Sequence, residues 1–212
     1  CEMSLQYNSQ FFSFRRTTIP KQLMEDLESH LASSNLEFFS ARVAGSNSPE
    51  EDMSAYLSDK RKCKASVIEN EDVMKFIFAQ FNEVNPATDI WQFDLSFFEN
   101  IQYLRYESSK ESFSYSEHDH FDWHNDMMMS DDKVNLMTRK LSMTLMLSHK
   151  EDYTGGEFEF ASVRAGKINT KEISLDYGDI LIFPSIMEHR VKPVTSGVRN
   201  VLVAWAWGPM FK

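Results

Sequence analysis

From about residue 90 onward, this 212-residue chain is cut into short apolar runs separated by turn residues, and that rhythm restricts its fold more than any other feature. The runs are "WQFDLSFFENIQYLRYE", "KLSMTLMLS", "GGEFEFA", "GDILIFPS", "EHRVKPV" and "VRNVLVAWAW". Gly155-Gly156, Gly178-Asp179 and Ser196-Gly197 stand between them as turns. In "KLSMTLMLS", Ser142, Thr144 and Met146 share one face, while Met143, Leu145 and Leu147 share the other, as alternation along a strand requires. Many short strands with few helices predict a mainly β fold with supporting helices, arranged as a two-sheet sandwich or jelly roll. A hydrophobic fraction of 42% is enough to fill its core.

The first ninety residues carry mixed signals. "TTIPKQLMEDLESHLASS" spaces Ile19, Leu23, Leu27 and Leu31 four apart, which makes one apolar helical face. Thr18 is placed to cap that helix, with Pro20 in its first turn. A second helix is predicted in "NEDVMKFIFAQFNEV", capped by Asn70, with Val73, Ile77, Phe81 and Val84 inward. "LEFFSARV" and "KCKASVIE" read as strands, and "GSNSPEED" as a loop. We therefore expect a single domain, with residues 1–90 as a helix-and-strand support and residues 91–212 as the jelly-roll core.

Charge and composition exclude several classes. A net charge of -10 disfavours binding to phosphate backbones, so no nucleic-acid partner is expected. No run of 18 apolar residues predicts a membrane span, and "CEMSLQYNSQ" has no leader-like pattern. Cys1 and Cys63 are the two cysteines, too few for a disulfide framework or a cysteine zinc site. The expected setting is the cytoplasm.

The chemistry concentrates in "HDHFDWHND", residues 118–126. It holds two His-x-Asp triplets, His120-Phe121-Asp122 and His124-Asn125-Asp126, beside His118. On a strand, residues i and i+2 point to one side, so either triplet could present an imidazole and a carboxylate to one metal ion. Two imidazoles and one carboxylate on one face of an iron ion leave the opposite face open for a co-substrate and oxygen. The third ligand must come from another strand, and "SIMEHRVKP" supplies His189, 65 residues after His124.

Arg199 lies ten residues beyond His189. "HRVKPVTSGVRNVLVAW" reads as a hairpin turning at "TSG", which sets Arg199 ~7–13 Å along the strand from the level of His189. That distance spans a five-carbon dicarboxylate, and the planar fork of arginine suits its far carboxylate. Arg199 also opens an apolar run with Val201, Val203, Trp205 and Trp207 at period two, where an inward guanidinium calls for an anionic partner.

"WHND…GGEFEF…GDILIFPS…EHRVKPVTSGVRNVLVAWAWGP" resembles the prolyl 4-hydroxylase-like branch of the Fe(II)/2-oxoglutarate-dependent dioxygenases, its PKHD-type members above all. The likeness covers roughly residues 95–210. It implies a double-stranded β-helix, cupin-like catalytic core. It also implies His124, Asp126 and His189 as iron ligands, and Arg199 as partner of the distal carboxylate of 2-oxoglutarate. Tyr106 in "IQYLRYE" is the counterpart of a tyrosine on the approach strand, with Tyr103 as second choice. Many relatives carry another tyrosine where Met146 stands, so Thr144 or Ser142 is left to donate there.

The resemblance implies hydroxylation of an unactivated C–H bond by O2, with succinate and CO2 released and ascorbate as an accessory reductant. The retained Asp126 agrees with this, because related halogenases replace that carboxylate with a small residue. The substrate would be a prolyl or other residue of a protein or peptide, or a small molecule; the net charge leans toward a neutral or basic target. Residues 108–121 and 127–139 are the candidate substrate loops. The competing class is a cupin-like metal enzyme or binding protein that does not use 2-oxoglutarate, for which a deep Arg199 has no purpose.

Overall fold

A computed structural model describes residues 5–8, 13–40, 60–85, 91–108, 118–130 and 136–210. Among these, antiparallel strands build two sheets. The larger runs in the order β1 (Leu5–Asn8), β2 (Ser13–Thr18), β13 (Asp179–Pro184), β9 (Met137–Met146), β15 (Val194–Pro209), β7 (Ile101–Glu107), β5 (Lys64–Ile68), β3 (Phe39–Ser40). Two short strands, β6 (Phe97–Phe98) and β10 (Tyr153–Gly155), also pair with β15. The smaller sheet runs β12 (Lys167–Ile173), β11 (Phe158–Arg164), β14 (Glu188–Val191), β8 (His120–His124), β4 (Arg61–Lys62). Strands from the first ninety residues thus extend both sheets.

Alternation explains the two cores. Odd-numbered Ile101, Tyr103, Leu141, Met143 and Leu145, with even-numbered Leu202 and Ala204, face the helices α1 (Lys21–Ser33) and α2 (Glu71–Val84). The opposite parity, including Leu104, Tyr106 and Val201, faces the smaller sheet, where Phe158, Phe160 and Val191 meet it. α2 buries Val73, Ile77, Phe81 and Val84 as its spacing predicts, and the Asn70 side chain accepts the Val73 N–H at 3.0 Å. Fully burying a side chain such as Phe81 or Leu27 contributes about 1.5–3 kcal/mol. No helix among the described residues is long and apolar enough to cross a membrane.

Two local expectations are corrected. Thr18 does not cap α1: it ends β2, paired with Asp179, and Pro20 occupies the cap position without a side-chain bond. Nor do β14 and β15 form a hairpin. β14 pairs with β11 and β8, while β15 pairs with β9, β7, β10 and β6. The chain crosses between sheets at Lys192-Pro193, where proline cannot donate to a ladder. "TSG" lies inside β15, Gly197 opposite Tyr153, and a β-carbon there would sit 2.0 Å from the Asp152 carbonyl oxygen. The "GSNSPEED" loop and the end of "LEFFSARV" lie outside the described residues.

Candidate active site

His124, Asp126 and His189 converge between the sheets. One ligand atom from each lies within 4.8 Å of the others. His124 Nε2 is 3.7 Å from Asp126 Oδ1, and His189 Nε2 is 3.6 Å from Asp126 Oδ2. Each imidazole is turned by its own backbone: His124 Nδ1 bonds the Asp122 carbonyl at 2.7 Å, and His189 Nδ1 the Met187 carbonyl at 2.9 Å. A carbonyl only accepts, so Nδ1 carries the proton and the lone pair at Nε2 faces the gap.

The pair His124 and His189 is set by register, since the two are direct partners across β8 and β14. Asp126 is positioned otherwise. β8 ends at His124, so the pleat does not align Asp126; its backbone N–H instead donates to the Ser185 carbonyl at 2.8 Å. The Ser142 hydroxyl, bonded to that of Ser185 at 2.9 Å, and the Trp205 indole N–H face its carboxylate. Burial pushes Asp126 up, but His189, His124 and these donors outweigh it and hold the carboxyl below its ordinary range. Burial, with His189 beside it, holds His124 down as a neutral imidazole. Both groups are therefore in the protonation state a divalent ion requires.

A shift in register between His189 and Val191 turns Phe121 to the same side as His124, and the two rings stack at 3.3 Å. His120 falls on the other side. It is buried, bonded through Nδ1 to the His118 carbonyl at 2.7 Å, and does not line the cavity that holds His124. Asp122 accepts its neighbour's Trp123 N–H at 2.8 Å. Strand geometry thus separates the two triplets that spacing alone could not.

The cavity measures about 720 Å³ and runs from the three ligand-type residues to Arg199, with Tyr106 and Thr144 on its wall. Arg199 faces Tyr106 across β15 and β7, and its guanidinium carbon lies 5.5 Å from the tyrosine ring centre. It is 1% exposed, yet its Nε and Nη1 have no hydrogen-bond partner among the described residues. A buried guanidinium without an acceptor costs several kcal/mol, a cost that an anion entering the cavity would offset. Burial lifts the Tyr106 phenol well above its ordinary value, which keeps its proton in place for donation. Tyr103 instead packs in the helix-side core. Ser142 is bonded to Ser185 and does not line the cavity, so Thr144 is the hydroxyl left on that wall.

Three contributors escape a reading of the sequence as motifs. Arg61 lines the cavity and lies 4.6 Å over the Phe121 ring. Its signal was alternation: Arg61 shares parity with the buried Cys63 and Ala65. Glu159 and Arg190 clamp the strand that carries His189. Arg190 Nη2 bonds Glu159 at 2.7 Å across β11 and β14, and its guanidinium lies 4.5 Å over Trp123 of β8. Met127 and Met128, in the 127–139 stretch expected as a substrate loop, are exposed and form part of the cavity rim, while residues 131–135 of that connection lie outside the described residues.

Comparison with known proteins is consistent with this geometry. A PKHD-type hydroxylase of Synechococcus sp. (strain CC9902) is 46% identical over 67 residues, which cover 32% of this chain and 28% of that protein. One from Hyphomonas neptunium (strain ATCC 15444) is 48% identical over 65 residues, covering 31% and 27%. The alignments thus span less than a third of either relative. Among solved structures, a Pseudomonas putida prolyl-4-hydroxylase superposes with a TM-score of 0.58 at 16% identity, covering 92% of each chain. A Trichoplax adhaerens prolyl hydroxylase in complex with a hypoxia inducible factor peptide fragment gives 0.62 at 14% identity, covering 91% of this chain and 82% of that one. These likenesses establish a shared jelly-roll fold. The family profile described as the 2OG-Fe(II) oxygenase superfamily matches residues 102–207, half of the 212-residue chain, and the chain belongs to that superfamily.

Proposed function

We propose that the protein is an Fe(II)- and 2-oxoglutarate-dependent dioxygenase that hydroxylates an unactivated C–H bond. The observation that carries this reading is a pair of features in one cavity: two imidazoles and a carboxylate whose ligand atoms lie within 4.8 Å, and a buried guanidinium with no acceptor at Nε and Nη1 among the described residues. His124, Asp126 and His189 would hold Fe(II). Arg199 would pair with the distal carboxylate of 2-oxoglutarate, assisted by donation from Tyr106 and Thr144. When bound, the iron and keto acid supply activation of O2, with release of succinate and CO2.

The chain's own residues do the rest. The backbone carbonyls of Asp122 and Met187 fix which imidazole nitrogen faces the ion. Ser185, bonded to the Asp126 backbone and to the Ser142 hydroxyl, positions the carboxylate. Phe121, Phe158 and Phe183 exclude water around the histidines, with Phe183 4.9 Å and Phe158 5.4 Å from the His189 ring. A dry surround strengthens each charge contact inside it. The substrate would enter past Met127, Met128 and Phe39, and flexible thioethers of this kind suit an apolar side chain of a protein or peptide.

The test is anaerobic addition of Fe(II) and 2-oxoglutarate, followed by visible spectroscopy. A weak charge-transfer band that disappears in His189→Ala is expected. Its absence from the wild type, or its persistence in that variant, would overturn the assignment. Succinate release against panels of peptides and free amino acids then sorts substrate classes.

A further inference from the structure

A second cavity, of about 350 Å³, lies behind Arg199. Gly155, Gly156, Ser174, Leu175 and Met146 are on its wall. Among the described residues, only Arg199 and Phe158 line both this cavity and the larger one. The partition at the far end of the keto-acid space is therefore thin.

Among the described residues, no acceptor pins the guanidinium that forms this partition. Nε and Nη1 of Arg199 have no hydrogen-bond partner among the described residues. Most buried arginines are fixed by carboxylates or carbonyls; this one is held by packing and by the face of the Tyr106 ring. On the rear side its stem rests against Gly156, which has no side chain, and Met146, an unbranched thioether that changes shape at little cost, lines the space beyond. A head held this way can withdraw toward the rear cavity without breaking a bond.

We infer that Arg199 is a yielding stop, and that the rear cavity lets the site accept 2-oxoadipate, one methylene longer than 2-oxoglutarate, nearly as well as 2-oxoglutarate itself. This rests on the reading of the larger cavity as a keto-acid site. The longer acid keeps its chelating end at His124, Asp126 and His189, while its far carboxylate moves Arg199 back by about one carbon–carbon bond. Oxaloacetate, one methylene shorter, falls short of the guanidinium and binds more weakly than either.

The experiment is calorimetric titration of the Mn(II)-loaded protein with oxaloacetate, 2-oxoglutarate and 2-oxoadipate, which needs no turnover. A rigid pocket discriminates one methylene by roughly 10- to 200-fold. Here the dissociation constants for 2-oxoglutarate and 2-oxoadipate should agree within about fivefold, below that range. Filling the rear cavity with Ser174→Trp, or from within by Met146→Phe, should restore discrimination to about tenfold or more, with 2-oxoglutarate binding held within about threefold. Ser174 is exposed, so its variant tests the idea without disturbing the core. Wild-type rejection of 2-oxoadipate with normal 2-oxoglutarate binding would overturn this inference alone. An affinity ratio unmoved by both filling variants would also overturn it. Failure of every keto acid to bind would instead overturn the proposed function.

Discussion

Gly156 and Arg199 occupy one space between them: a β-carbon on Gly156 would lie 2.8 Å from Cδ of Arg199, closer than real contacts allow. Gly156 also has φ +67°, where residues with a side chain are strained. Gly156→Ala is therefore expected to push the guanidinium off its line. Losing one charge-assisted hydrogen bond is worth about 1.5–3 kcal/mol, so affinity for 2-oxoglutarate should fall roughly 10- to 150-fold. Metal affinity, set at the other end of the cavity, should stay within about twofold. Titration of each ligand separates the two, and a parallel loss of metal binding would mean the whole site had shifted.

Arg199→Met offers a second prediction, with opposite signs for stability and binding. Arg199 is 1% exposed and lacks hydrogen-bond partners at two nitrogens among the described residues, so the fold carries its desolvation cost without return. An apolar chain of similar length removes that cost. Thermal melting of the metal-free variant should show a gain of about 1–3 kcal/mol, or roughly 2–10 °C for a chain of this length, while 2-oxoglutarate binding is lost. A variant less stable than wild type would mean that Arg199 holds the fold together.

How much of this was legible in the sequence follows from what fixed each feature. Period-two alternation gave the sheets, and Val73, Ile77, Phe81 and Val84 pack as their spacing requires, because local periodicity decides which face is apolar. His124, Asp126, His189, Arg199, Tyr106 and Thr144 all reach the one cavity. His189 and Arg199 are nevertheless not joined by a hairpin. The two residues stand on different sheets, because pairing partners of β14 and β15 are chosen by long-range packing that no spacing encodes. The irregularity that sends His120 and His124 to different sides has the same origin. Arg61 was hidden among charged neighbours, since charge run and strand alternation give opposite readings of "RKCKA".

Which His-x-Asp pair takes the metal can be decided by melting temperature. A ligand present at 100 times its dissociation constant stabilises by about 2.7 kcal/mol. Mn(II) or Zn(II) should raise the melting temperature of the wild type accordingly, and a chelator should reverse the rise. His189→Ala and Asp126→Asn should abolish it. His120→Gln should lower the baseline, since His120 is 2% exposed, yet keep the metal-induced rise intact. A rise that survives in Asp126→Asn but vanishes in His120→Gln would move the metal to the other triplet.

Glu159 supplies a prediction about pH. Burial raises its carboxyl, but Lys192 at 2.9 Å and Arg190 at 2.7 Å outweigh burial and hold it below its ordinary value near 4.5. A carboxyl lowered in the folded state stabilises above the unfolded value and loses that contribution as pH falls through the folded one. The wild type should therefore lose about 1–2 kcal/mol from this group on acidification below about pH 5. Glu159→Gln should be less stable by that amount at pH 7, and the gap should close as acid is added. Because Arg190 ties β11 to the strands of His189 and His124, the same variant should loosen the metal site at neutral pH, with metal affinity down about two- to fivefold. Urea unfolding at pH 7 and pH 3.5 measures the first effect; a gap that stays constant with pH would show that shape, not charge, is what Glu159 contributes.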